Sequence, residues 1–282
     1  MEGGTMKPIF FNDEMVRAIL GGRKTQTRRV MKPQPRVARF GETHPTRPNG
    51  VIGHVDGALG GGDYHVWQGP RFQAGLTHGG VYLALNQCQY QPGDRLWVRE
   101  AWRIGAWQLW SEAVAIDYRA DSFCRREWIR IGDDDAGEAF DKYLKQSIAD
   151  VKAAGLSADA DGHYHWKAGE SPCRWRPSIH MPRWASRITL EITDVRVQRL
   201  RSISEDDARA EGVEHDGGWE EPDGEGFTEG FGFRDYQTDE ESFPYRNPCT
   251  SFKTLWDSIA KPGTLWRDNP WVWANSFQMV EA

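Results

Sequence analysis

The chain has 282 residues, 39% hydrophobic and 27% charged, with a formal net charge of −6. That length suits one decorated domain or two small ones with a sizeable core, and the balance is that of a folded, soluble protein rather than a disordered one. No apolar run reaches the roughly 18 residues of a membrane span, and the N-terminus lacks the charged-then-apolar order of a secretory signal, so a cytoplasmic protein with no membrane partner is expected.

Charge and cysteines narrow the partners. Residues 205–241 hold fifteen Asp or Glu against two Arg, a local −13 that leaves +7 for the remainder. The acidic run reads first as a solvated loop, and the mildly basic body is suited to a nucleotide or nucleic acid. Cys88, Cys124, Cys173 and Cys249 lie far apart with no CxxC pair, which predicts free thiols. His163, His165, Cys173 and His180 fit no standard zinc spacing, so neither a metal nor another cofactor is expected. Trp is over-used at fourteen residues. Trp102, Trp107, Trp110, Trp175 and Trp184 are candidates for stacking on a planar ligand as well as for the core.

In chain order, "FFNDEMVRAILGG" predicts a short helix. Asn12 is its N-cap, Asp13 and Glu14 suit the first turn, and Gly21 and Gly22 form the exit. Met15, Val16, Ile19 and Leu20 make the apolar stripe, with Phe11 and Val16 placed as a hydrophobic staple. "GGRKTQTRR" then packs one Lys and three Arg behind the two glycines, and "TQTRRVM" reads as a strand ended by Pro33 and Pro35. Residues 34–91 read as an insertion with a hairpin near "VYLAL". "PGDRLWVREAW" predicts a turn and a half-buried strand, Leu96 and Val98 inward and Arg95, Trp97 and Arg99 outward. Residues 101–183 form a second insertion with a helix near 138–154, where Phe140, Leu144, Ile148 and Val151 recur at helical spacing.

"SRITLEITDVRVQRL" is the strongest strand signal, with a bulge or turn expected at Asp194. "ISEDDARAEG" is a short helix capped by Ser204 and closed by Gly212, with Asp207 where a capping box prefers Glu. Residues 214–248 are a third, acidic insertion. "TSFKTLWDSIA" is an amphipathic helix with Phe252, Leu255, Trp256 and Ile259 on its stripe, and "NPWVWANSFQMV" is a closing strand. Few strands and no repeated βαβ units argue against a doubly wound sheet. The expected fold is α+β: one domain, a small mixed β-barrel with helices at its rim and three long insertions.

The combination of "ILGGRKTQTRR", "GDRLWVRE", "ITLEITDVRV…ISEDDARAEG" and "WVWANSFQMV" resembles the ASCH domain family of the PUA-like superfamily. The phrase "WRPSIHMPRWASRI" looks closest to the larger ASCH proteins of phages and prophages. A phage-encoded member would work in the cytoplasm of a bacterial host. ASCH relatives include small bacterial enzymes that remove the acetyl group from N4-acetylcytidine. The resemblance implies catalytic roles for Lys24 and Thr27 in the "GRKTQT" motif and for Glu211 at the later helix exit. The chain is more than twice the length of those enzymes, and its insertions stand where a pocket would be reshaped.

The chemistry has a physical basis. A Thr hydroxyl becomes a nucleophile once a base takes its proton, and Lys is that base only when neutral. Arg23, Arg28 and Arg29 crowd Lys24 and push its pKa down, besides attracting an electron-rich substrate. Glu211 in the last helical turn is disfavoured as an anion, which suits a proton donor to a leaving amine. Lys24 and Thr27 have opposite parity and converge only if extension begins near Gln26. Around them, Glu100 is a candidate acceptor from a base amino group, Trp102 a stacking platform, and Arg176, His180 and Arg183 contacts to phosphate or sugar. Three functions stay open: an amidohydrolase acting on an N4-acylated cytosine nucleoside, a non-catalytic binder of RNA or a modified nucleotide, and a ribonuclease.

Overall fold

In the computed structural model, the residues described are 6–32, 34, 36–39, 51–52, 63–66, 88–120, 128–131, 136–216, 232–238 and 242–280. The elements in order are β1 (Lys7–Phe10), α1 (Asp13–Leu20), β2 (Gln26–Val30), β3 (Arg36–Arg39), β4 (Val51–Ile52), β5 (Asp63–Val66), β6 (Arg95–Arg99), β7 (Trp102–Gln108), β8 (Ala113–Tyr118) and β9 (Trp128–Arg130). Then come α2 (Ala136–Ala153), β10 (Thr189–Arg199), α3 (Glu205–Ala210), β11 (His215–Asp216), β12 (Gly232–Phe233), α4 (Pro248–Ile259) and β13 (Trp271–Val280). No described helix is long and apolar enough to cross a membrane. The chain divides into two compact units: Met1–Gly21 with Arg95–Leu190 and Met279–Ala282, and Gly22–Asp94 with Glu191–Gln278.

In the first unit, α1 forms where its sequence places it. The Asn12 side chain accepts from Met15 N at 2.8 Å, one of the orphan amides of the first turn. β1 pairs in parallel with β6, Ile9 opposite Val98. β7, β8 and β9 form an antiparallel sheet with β8 central. All six residues of β8 are buried, so its sequence, AVAIDY, shows no alternation. Gly105 takes the register shift between Ile104 and Ala106. A Cβ there would run into the Asp117 carboxylate, so a larger residue would force Asp117 to move. Trp102, Ile104, Ile116, Phe140, Val151 and Met181 are among the core residues, each buried side chain contributing about 1.5–3 kcal/mol.

In the second unit the strand order is β10–β13–β2, with β13 and β2 antiparallel and Asn275 opposite Thr27. α3 and α4 cover a core of Leu200, Ala208, Phe252, Leu255, Trp256 and Val272. α3 is capped by Ser204 Oγ, which accepts from Asp207 N at 3.1 Å. It ends at Gly212, whose φ of +88° is the left-handed exit that glycine permits.

The α+β class holds, with these differences from expectation. The described strands form open sheets, and none closes into a barrel. All three insertions carry sheets of their own: β3–β5–β4 within 34–91, β7–β8–β9 within 101–183 and β11–β12 within 214–248. The "VYLAL" hairpin lies outside the described residues. β10 is one continuous strand with no turn at Asp194. Burial instead changes face, from Leu190 and Ile192 to Val195, across exposed Thr193 and Asp194. Trp97 is buried, not outward-facing. Leu20 and Ile259, each the last residue of its helix, are exposed rather than part of the buried stripe.

Candidate functional site

Extension does begin at Gln26. Ahead of it, Lys24 forms an isolated antiparallel bridge with Glu211, and Thr25 N donates to Ala210 O at 2.8 Å. The "GRKT" segment is thereby laid along the exit of α3. Lys24 Nζ donates to Glu211 O at 2.8 Å and to Glu211 Oε2 at 2.9 Å. The Lys24 side chain is 0% exposed and that of Glu211 4%. Burial drives the Lys24 pKa below the usual lysine range. The Glu211 carboxylate opposes the shift, while Arg29 and Arg28 reinforce it.

Glu211 is shared. Its Oε1 accepts from Arg28 Nη1 at 2.9 Å, and the same nitrogen donates to Gln26 Oε1 at 2.5 Å. Arg28 Nη2 reaches Asp207 Oδ2 at 2.9 Å. With its amide turned to satisfy both ends, Gln198 accepts from Arg28 Nε at 3.2 Å and from Nη2. All the donors of this guanidinium are then engaged, and its carbon lies 5.7 Å from the Phe252 ring centre. Asp207 also receives Arg196 Nη2 at 2.9 Å and Gln26 Nε2 at 3.1 Å. Burial works against its ionised form, but the Arg196 bond leads a set of partners that holds its pKa below the usual carboxylate value.

The strands make this convergence possible. Gln26 and Arg28 alternate onto one face of β2, and Arg196 and Gln198 onto one face of β10. On the intervening β13, the residues opposite Arg28 and Gln26 are Ala274 and Ser276. These are small, so long side chains from both flanking strands reach over them towards α3. Gln26 Nε2 also touches Ser276 Oγ at 3.3 Å.

Of the predicted catalytic group, Lys24 and Glu211 meet. Thr27 is buried and sits one residue out of phase with Gln26 and Arg28. Among the described residues no hydrogen bond joins its hydroxyl to Lys24 or Glu211. Asn275 faces it across the ladder, and the Asn275 side-chain oxygen accepts from Cys88 Sγ at 3.4 Å. Arg23 is exposed and pairs with Glu214 at 3.4 Å. Arg29 is exposed on the strand face that Thr27 shares.

The other predicted contacts belong to the first unit. Glu100 is held in a bidentate pair by Arg187, Nε to Oε1 at 2.9 Å and Nη2 to Oε2 at 2.8 Å, and is fully buried. Trp102 is also fully buried, edge-on to Trp184 and Tyr143. Arg176 and His180 line one cavity. Arg183 is exposed, with Nη2 at 3.2 Å from Met6 Sδ. Of the residues weighed for a metal, His163 and His165 meet Asp159 instead of Cys173. His163 N and His165 Nε2 lie 2.8 and 2.6 Å from its carboxylate oxygens, and the His165 contact leads in bringing the Asp159 pKa to about 2.

The partners that sequence reasoning missed are Asp207, Gln26, Gln198, Arg196 and Arg187. The detectable signals were the i, i+2 pairs of long polar residues in strands and a carboxylate at the third position of α3. Comparison with known proteins returned no match among family models, curated proteins or solved structures.

Proposed function

We propose that the chain is an amidohydrolase of the ASCH type, removing the acyl group from an N4-acylated cytosine nucleoside or a related modified base in a cytoplasm. The observation that carries the reading is the buried contact of Lys24 Nζ with Glu211 Oε2 at 2.9 Å, with burial lowering the lysine pKa from its ordinary value. A neutral Lys24 takes the proton of Thr27 Oγ1 as that oxygen bonds to the acyl carbon. The proton passes from Lys24 to Glu211 and on to the leaving N4 as the C–N bond breaks. Water then releases the acyl group from Thr27 by the reverse relay. Arg29 supplies positive charge near the developing oxyanion. Thr27 lies on the face of β2 opposite Gln26 and Arg28, so the relay requires β2 to change conformation and turn the Thr27 hydroxyl to Lys24 when substrate binds.

A second reading is a non-catalytic binder of RNA or a modified nucleotide, and Arg28 favours its non-catalytic part by acting as structure rather than as a nucleotide contact. Its donors are consumed by Gln26, Glu211, Asp207 and Gln198. That saturation is the make-up of a structural lock.

Incubation of the full chain with N4-acetylcytidine, followed by chromatographic detection of cytidine, tests the first reading. Thr27→Ala leaves the ionic network untouched, so turnover is expected to vanish while the chain stays folded, with only a modest fall in thermal midpoint. Turnover that survives Thr27→Ala removes the proposed nucleophile. No turnover by the unaltered chain, with RNA affinity that falls steeply with salt, selects the binder.

A further inference from the structure

In the first unit, the turn that follows α2 gathers donors of two chemical kinds. Its sequence sets two carboxylates, Asp159 and Asp161, two residues apart, and two imidazoles, His163 and His165, at the same spacing. One donor atom each from Asp159, Asp161 and His163 all lie within 4.8 Å of one another. His165 adds its Nε2 at 2.6 Å from Asp159 Oδ2. This donor set differs from the one weighed in the sequence, because Asp159 and Asp161 stand where Cys173 and His180 were considered.

The backbone holds the group in place. Asp159 N donates to His163 O at 2.8 Å, and Gly162 N donates to Asp159 O at 3.1 Å. Gly162 has a φ of +84°, the left-handed conformation that closes the turn. Burial then alternates, with His163 and His165 exposed and Tyr164 and Trp166 half-buried. The Tyr164 and Trp166 rings pack on Trp107 at 6.2 and 5.4 Å, and Trp166 Nε1 donates to Gly105 O at 2.8 Å. Both imidazoles thus stand on the outer side of a ribbon fixed to β7, so little further ordering is needed to use them.

The side chains retain the capacity to take a cation. A carboxylate has about four acceptor sites. At Asp159, Asp161 N, His163 N and His165 Nε2 occupy three of them, at 3.0, 2.8 and 2.6 Å. Among the described residues, neither the Asp161 carboxylate nor the His163 ring has a hydrogen bond or an ion pair, and no Lys or Arg pairs with Asp159. Donors on one ion, at bond lengths of about 2.0–2.2 Å, stand up to about 4.4 Å apart. Small rotations of these exposed side chains close the set. Imidazole beside carboxylate selects zinc and its first-row neighbours over calcium and magnesium, which take oxygen donors.

We propose that Asp159, Asp161 and His163 bind a divalent first-row transition-metal ion of the zinc class, with His165 orienting the Asp159 carboxylate from outside and water completing the coordination. The ion ties the turn after α2 to the ribbon that covers β7. The inference goes beyond the deacylation reading, because neither Lys24, Thr27 nor Glu211 enters it.

Calorimetric titration of the untagged, chelator-treated full chain with zinc chloride tests it. One zinc ion is expected to bind per chain, and millimolar calcium or magnesium is expected not to displace it. Asp161→Ala and His163→Ala each remove one donor from an exposed position, so each is expected to weaken zinc at least about tenfold while the chain stays folded. Zinc is expected to raise the thermal midpoint of the parent and to leave that of His163→Ala in place. Absence of zinc binding, calcium binding as tight as zinc, or zinc affinity unchanged in either variant would each overturn the proposal.

Discussion

Arg28 and Arg176 are both guanidiniums packed against aromatic rings, and their hydrogen bonding differs completely. Arg28, in the second unit, has its donors engaged by Gln26, Glu211, Asp207 and Gln198. Arg176, in the first, engages Gln146 through Nη1 and leaves Nε and Nη2 buried without an acceptor among the described residues. Both are in regions where charge is expensive to bury. The first arrangement repays that cost internally and behaves as part of the fold. The second repays it only in part, through Gln146 and the Asp150 carboxylate 3.9 Å from Nη2. Counting satisfied donors thus separates two cationic clusters that composition alone would treat as equivalent.

The sharpest way to break the comparison is to empty the saturated site. Glu211→Gln leaves Lys24 and Arg28 buried with their shared carboxylate gone. Removing one partner from such a pair costs about 3–5 kcal/mol, read as a lower urea midpoint with an unchanged slope. A loss below about 1 kcal/mol would show that the network is not holding α3 against β2.

Next comes a matched pair of substitutions. Arg28→Met strips one partner each from Glu211, Asp207, Gln26 and Gln198, and is expected to cost about 2–4 kcal/mol, given about 1.5–3 kcal/mol for a charge-assisted bond. Arg176→Met loses the Gln146 bond and the ring contacts but also removes two unsatisfied donors, so its stability should stay within about 1 kcal/mol of the parent. Equal losses at the two sites would erase the distinction between a saturated and an under-bonded guanidinium.

How far this was legible in the sequence depended on distance along the chain. α1 was readable because Asn12, the acidic first turn and Gly21–Gly22 are all local signals. So was the start of β2 at Gln26, deduced from the need to bring Lys24 and Thr27 together, although in the structure the two do not meet. The contact of Lys24 with Glu211 was indicated by the family resemblance, since no local pattern joins residues 187 apart. Arg28's commitment to Asp207, across 179 residues, was not readable. It depends on β13 standing between β10 and β2 with Ala274 and Ser276 beneath the long side chains. β7 and β8 were absorbed into an insertion because a strand buried on both faces, as Ala113–Tyr118 is, gives no period-two signal. Glu100 and Trp102 read as available for a ligand by residue type. The Arg187 clamp and the packing of Trp184 and Tyr143 engage them.

The mildest test asks whether the lysine inside the saturated site titrates as its burial dictates. With the Lys24 pKa below the ordinary 10.5, the native state releases that proton at a lower pH than the unfolded chain. Between the two values the unfolded state binds more protons, so stability attributable to Lys24 rises with pH, by at most about 1.4 kcal/mol per pH unit. Below the native value both states are protonated and the dependence disappears. The quantity to measure is the difference in unfolding free energy between the parent chain and Lys24→Met, followed from pH 7 to 10.5. Met keeps the volume, and Glu211 retains Arg28. The same difference for Arg176→Met should be flat across this range, because a guanidinium does not titrate there. A Lys24 difference that is flat as well would mean that Glu211 keeps the amine charged throughout. The buried pair would then be as fixed as Arg28, and the base required for deacylation would be lost with it.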